Sequence, residues 1–315
     1  MRSRKINKMG TNIPVISHTD DPQNDPNWTS FYGNILHPDF SNPVFFRHNG
    51  VNMNFFNWYN GDTVYLIARG PSIAKHLENK EVRKLLLHPS IVKYGMNTSP
   101  EIIDNHVNLW SGVDKMRKFS SSILKNPNIM KFIPMNRYQV ISDGTKDGMD
   151  SEKGIAYKDD KHRYTCHCPN TVGVQTFLLE EHPKSQMSFG NSYLGSTAVL
   201  YGYYKGMKSV FLFTLKVCIL LGFKRIIMLG VDFKMSNDTP YYKNTAADYP
   251  KFHIDHNNKL YNTLGPQMKD INRLLKTGES GYRTKILTAT PIESMPFIES
   301  INLKEELERE IETKS

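Results

Sequence analysis

Cysteine is scarce in this chain. Three in 315 residues cannot make a disulfide framework and fit a reducing compartment. No run of about 18 apolar residues occurs, so no membrane span is expected. The basic start Met1-Arg2-Ser3-Arg4-Lys5 has no apolar segment behind it, so no secretory signal is expected and the location reads as cytoplasmic. Spaced metal-ligand pairs are also missing. His162, Cys166, His167 and Cys168 crowd together without a second Cys or His pair, so no metal site is expected. There is no Walker loop, no G-x-G-x-x-G fingerprint, no internal repeat and no long lysine block. Charge alone therefore does not make the chain a nucleic-acid binder.

What is present is an ordinary globular composition, 39% hydrophobic and 23% charged, long enough to bury a large core. The net charge of +9 and pI near 9.2 favour an anionic partner such as a nucleotide, DNA, an anionic glycan or a membrane surface. The strongest local signal runs from Lys208 to Phe233. Apolar residues dominate positions 210–221, too long a run for a strand and too short for a span. Gly222 stands where a helix stops, and Lys224 and Arg225 make a basic turn. Ile226 to Leu229 is a short β-branched run, as in a central parallel strand, and Gly230-Val231-Asp232 falls at its carboxyl end. Ligands of open α/β sheets bind at that edge.

The pattern predicts an α/β, Rossmann-like protein with a mostly parallel, doubly wound sheet, an irregular N-terminal layer and an inserted loop-rich subdomain. Residues 1–60 read as an aromatic irregular layer with a loop at 20–26. Residues 61–136 form a nucleotide-binding α/β half, with strands at 63–68, 91–95 and 106–110, a helix from Ile73 to about Leu87 and a helical turn at 101–105. Residues 137–194 are polar and aperiodic, an insertion or lid. Residues 195–300 make the second half, with a Tyr/Asn/His-rich loop at 235–263, a helix over 265–275 and a last strand at 284–288. Residues 301–315 read as a charged, solvated tail.

Arg69-Gly70-Pro71-Ser72 follows a strand and opens a helix, a context that suits an anion. Gly70 lets amides approach, and Ser72 can cap. Asn97 and Asp114 follow the next two strands and would reach the same edge as Asp232, where Asn suits a base or ribose and Asp a sugar hydroxyl. Past Asp232 come Tyr241, Tyr242, His253, Asp255 and His256. A histidine titrates near neutrality and can serve as a base, and a tyrosine can donate to a leaving phosphate.

Ile67-Ala68-Arg69-Gly70-Pro71-Ser72-Ile73 resembles the "G-x-GPSL" signature of bacterial sialyltransferases and their superfamily, which includes flagellin-modifying glycosyltransferases and hydroxymethyl-dihydropterin pyrophosphokinases. Leu221-Gly222-Phe223-Lys224-Arg225-Ile226-Ile227-Met228-Leu229-Gly230-Val231-Asp232-Phe233 is similar to their second signature, and Asn97 matches the asparagine after their second strand. The likeness covers roughly 62–118 and 205–290. It implies a nucleotide-sugar pocket held by Gly70, Pro71, Ser72 and Asn97, with Ser209 facing it, and leaving-phosphate assistance by Tyr241 or Tyr242. The family's basic histidine sits in a Gly-His pair, where this chain reads Thr263-Leu264-Gly265-Pro266. The base then falls to His253 or His256.

Three functions are expected to compete. The first is a metal-independent glycosyltransferase acting on a hydroxyl of a glycan or modified nucleic acid. The second is a pyrophosphokinase using Mg2+ held by Asp114 and Asp232 on a pterin-like alcohol. The third is a non-enzymatic nucleic-acid-binding protein. The pattern is compatible with a homo-oligomer.

Overall fold

The computed structural model describes residues 45–46, 52–53, 55, 57–114, 116, 119–134, 168–174, 209–236, 238, 240–243, 251–278 and 283–314. The expected loop at 20–26, the aromatic residues Trp28, Phe31, Tyr32 and Phe56, and His162, Cys166 and His167 lie outside the described residues.

The sheet is built from short runs buried on both faces. β3 (Thr63–Ile67) is buried at every position, as are β4 (Lys93–Met96), β5 (Leu109–Ser111), β6 (Met130–Pro134) and β7 (Thr171–Val174). β8 (Arg225–Leu229), β9 (Lys285–Thr288) and β10 (Glu299–Ser300) complete the parallel set. Short strands β1 (Phe45–Phe46) and β2 (Asn52–Met53) join antiparallel beyond β7. The spatial order is β10-β9-β8-β3-β4-β5-β6-β7-β1-β2. Its central stretch, β5-β4-β3-β8-β9-β10, is the 3-2-1-4-5-6 order of dinucleotide-binding folds. After β3 the chain winds one way, and after β8 the other. The crevice where the order reverses therefore lies between β3 and β8.

Alternation along the strands feeds two cores. Val64 and Leu66 of β3 and Ile226 and Met228 of β8 pack on one face with helix α4 (Val210–Leu220) and helix α5 (Lys251–Thr277). Tyr65, Ile67, Ile227 and Leu229 pack on the other with α1 (Ala74–Leu77), α2 (Lys80–Leu86), α3 (Ser121–Leu124) and α6 (Leu303–Lys314). Helices on both faces make the sheet doubly wound, as the sequence pattern predicts.

α4 forms because apolar residues dominate it, with only Thr214 and Lys216 between them, and both ends are closed. Ser209 Oγ accepts from the Phe211 amide at 3.2 Å. At the other end Gly222, at φ +82°, donates to Ile219 O and Phe223 donates to Cys218 O, a Schellman stop. The amides of Asn57 and Tyr59 take the carbonyls of Leu220 and Leu221, and the Tyr59 ring stacks on Phe223 at 4.5 Å. This part of the N-terminal layer thus closes the central helix.

Several boundaries differ from expectation. The expected helix from Ile73 divides into a 3-10 turn (Pro71–Ile73), α1 and α2, because Asn79 starts a new helix by accepting from the amides of Glu81 and Val82. The polar span 137–194 contains β7, which pairs with β6 and so belongs to the sheet. The segment expected as a loop up to 263 is helical from Lys251, and Pro266 sits inside α5. The tail is α6, docked through buried Leu303 and Leu307, with Glu306 paired to Arg225 and Arg309. Its charges hid a buried stripe.

Candidate functional site

Two loops meet at the switch point. Gly70 donates its amide to Gly230 O at 2.8 Å, and a Cβ on Gly70 would lie 2.4 Å from that carbonyl. Only glycine fits. Gly230 takes φ +65°, where L side chains are strained. These two glycines let the loops after β3 and β8 touch backbone to backbone.

Asp232 locks them. Its Oδ2 accepts from the Ser72 amide at 2.9 Å and its Oδ1 from the Ser72 hydroxyl. The carboxylate thereby caps the short helical segment that begins at Pro71. The anion at this segment's start is thus the protein's own Asp232.

The neighbouring strand ends supply a second wall. Asn97, at φ +47°, donates its amide to Ser111 O at 2.8 Å, accepts from the Val113 amide at 3.4 Å and reaches Asp114 Oδ2 at 3.5 Å. Trp110 Nε1 donates to Asn97 O at 2.7 Å. The asparagine is held by β5 and the loop after it, with Asp114 beside it. Arg69 donates to Thr98 Oγ1 at 3.0 Å and to Tyr242 O at 3.3 Å, and lies 3.7 Å from Glu101.

The third wall is helical. Ser209, Val210 and Phe211 bring the N-terminus of α4 to the cleft. His253, His256, Asn257, Leu260 and Tyr261 line it at i, i+3, i+4, i+7 and i+8 along α5. Asn258 clamps this helix to the loop after β8, accepting from the Met235 amide at 2.7 Å and donating to Met235 O at 3.0 Å. Phe233 stands edge-on to Phe211 at 4.9 Å and to Tyr261 at 6.3 Å.

These walls enclose a cleft of about 760 Å³, of the size that takes a small organic ligand. It brings together Arg69, Gly70, Asn97, Asp114, Ser209, Asp232, Tyr241, His253 and His256. Pro71 and Ser72 stand outside the lining, Ser72 being turned to Asp232. The two tyrosines part company. Tyr241 lines the cleft, whereas Tyr242 packs on the opposite core, with Lys243 Nζ 5.4 Å from its ring centroid.

Burial pushes the Tyr241 hydroxyl far above its ordinary pKa, and a hydrogen bond with Tyr261 and the charge of Asp114 add to it. Tyr241 thus stays protonated across the ordinary pH range and can donate a hydrogen bond. Sequence reasoning missed Tyr261, Asn257, Asn258, Phe211, Phe233 and Lys234. A 3.6-residue period from 253 to 261 was the available signal, and the polar composition hid it. Cys168 is buried and forms no disulfide. Among the described residues no group of three or more His, Cys, Asp or Glu side chains is placed to hold a metal. No protein-family model matches the chain, and no curated protein or solved structure matches it.

Proposed function

We propose that the protein is a glycosyltransferase-like enzyme that takes a sugar from a nucleotide donor to a hydroxyl acceptor. The observation that carries the reading is the cleft at the switch point, which has an asparagine and an aspartate on one wall and a half-buried tyrosine with two histidines on the other. In α/β sheets this crevice is where nucleotides bind. The resemblance of Arg69-Gly70-Pro71-Ser72 and of the Leu221 to Phe233 run to the sialyltransferase superfamily points the same way.

In this reading Asn97 and Asp114 take the nucleoside, and Phe211 and Phe233 offer apolar contact. The N-terminus of α4, together with Lys234, meets the phosphate charge. Gly70 and Ser72 act through architecture, since Asp232 occupies the start of their helical segment. His253 or His256 accepts the proton from the acceptor hydroxyl as its oxygen bonds to the anomeric carbon. The bond from that carbon to the phosphate oxygen breaks, and Tyr241 donates to the departing oxygen. The pyrophosphokinase alternative draws less support. Both Asp232 oxygens hold Ser72, so Asp114 and Asp232 make a poor Mg2+ pair.

The test is a thermal-shift series with CMP-, UDP- and GDP-sugars and with ATP plus Mg2+. A bound donor at 100 times its Kd should stabilise by about 2.7 kcal/mol. A shift with one nucleotide sugar, lost in Asn97→Ala, is expected. Flat melting temperatures with every nucleotide refute the reading.

A further inference from the structure

We infer that the exposed face of α5 is a track for single-stranded nucleic acid, ending in a base-stacking platform at the mouth of the cleft. The inference rests on the proposed transferase reading and names its acceptor class. Phe252 is 74% exposed, the exposed large hydrophobic side chain among the described residues. A lone exposed ring is ordinary on a protein surface, but this one is joined by two more. Its neighbours are flat: the His256 ring lies 6.2 Å away at 25° and the His253 ring 5.6 Å away. Both histidines line the cleft. A planar group laid on Phe252 therefore reaches the groups assigned to take the acceptor proton.

Charge says what kind of planar group. Lys251, Lys259, Lys269, Arg273 and Lys276 are all exposed on α5. At about 100° per residue they fall within roughly a third of the helix circumference, next to Phe252 and away from the buried side of Leu264, Met268 and Ile271. Along the axis the lysines are spaced about 12, 15 and 10 Å apart. Asp255 is the exposed acid on this face, and Asp270 is half-buried. A cationic stripe leading to an aromatic ring is the composition that binds single strands, with phosphates along the charges and a base on the ring. Duplexes keep their bases stacked internally and offer the ring no free base, and an anionic glycan is the competitor that the heparin arm of the test separates.

Fluorescence anisotropy of a short labelled single-stranded oligonucleotide, titrated at several salt concentrations, tests this on the full chain. Four lysines contacting phosphates give a slope of log K against log salt near about −2.8, and Lys259→Gln with Lys269→Gln should bring it to about −1.4. Phe252→Ala should weaken binding about 5- to 150-fold and leave the slope unchanged. All three substitutions are at exposed positions, and circular dichroism checks the fold. No binding, an unchanged affinity in Phe252→Ala, or equal binding of a duplex or of heparin overturns the inference. Nucleotide-sugar thermal shifts, run on the same proteins, report separately on the cleft. If those shifts persist while the oligonucleotide fails to bind, the track alone is refuted.

Discussion

Replacing Asp232 by alanine separates a latch from a ligand. In the folded protein this carboxylate accepts from the Ser72 amide at 2.9 Å and from the Ser72 hydroxyl, both partly buried. A hydrogen bond to a charged acceptor contributes about 1.5–3 kcal/mol. Taking the lower end for each, because the site opens on the cleft, Asp232→Ala should cost about 3 kcal/mol. Ser72→Ala removes only the hydroxyl bond and should cost about 1.5 kcal/mol. The double variant should cost about 3 kcal/mol rather than the additive 4.5, a coupling of about 1.5 kcal/mol. Urea unfolding followed by tryptophan fluorescence reads these values, and melting points should fall by about 2 °C for each kcal/mol. Were Asp232 instead a ligand group with no structural task, its removal would leave stability within about 0.5 kcal/mol or raise it. That result, or strict additivity in the cycle, refutes the latch.

Gly70→Ala places a Cβ 2.4 Å from the Gly230 carbonyl, a backbone conflict that no rotamer relieves. The loop must shift, so a loss of at least about 2 kcal/mol in urea unfolding is expected, and a variant as stable as wild type refutes the close approach. Under the proposed transfer, Tyr241→Phe should lower turnover about 100-fold with little change in nucleotide affinity, because that reading has its hydroxyl assist the leaving group; matched single-turnover rates count against this role. Glu306 is held between Arg225 and Arg309 with its side chain 6% exposed. Burial alone would raise its carboxyl, but the hydrogen bonds from the two arginines outweigh burial and hold the pKa below the ordinary value. Its contribution is therefore complete above about pH 4.3, the unfolded pKa, and is lost as pH falls through the lowered folded value. Glu306→Gln should cost about 2 kcal/mol at pH 7 and less below pH 4; an equal cost at both pH values contradicts the pairing.

The parts of the site readable in the chain were those fixed by local chemistry. Gly70 stood out because a glycine lets backbone amides approach, and Gly222 because a helix needs a stop, whereas Ser209 entered only through the family resemblance. Residues on α5 were harder. Between 251 and 266 the helix carries asparagines, an aspartate, a glycine and a proline, whose intrinsic preference is for turns. Packing of Leu264, Met268 and Ile271 on the sheet overrides that preference, and so Tyr261 and Asn257 reached the cleft unannounced. α6 was misread for a related reason: Leu303, Leu307 and Glu306 are buried beneath charges that looked solvated.

By itself the sequence determined the α/β class, the central helix-strand unit and the sheet edge to which Gly70, Asn97 and Asp232 belong. Periodicity and caps are encoded within a few residues, so one sequence suffices to read them. The tertiary structure decided the strand order, with β8 beside β3, and so where the crevice opens. It also decided which of two adjacent tyrosines faces the cleft, and that Asp232 is occupied by Ser72 across 160 positions of chain. Such pairings depend on long-range packing, and no local pattern contains them.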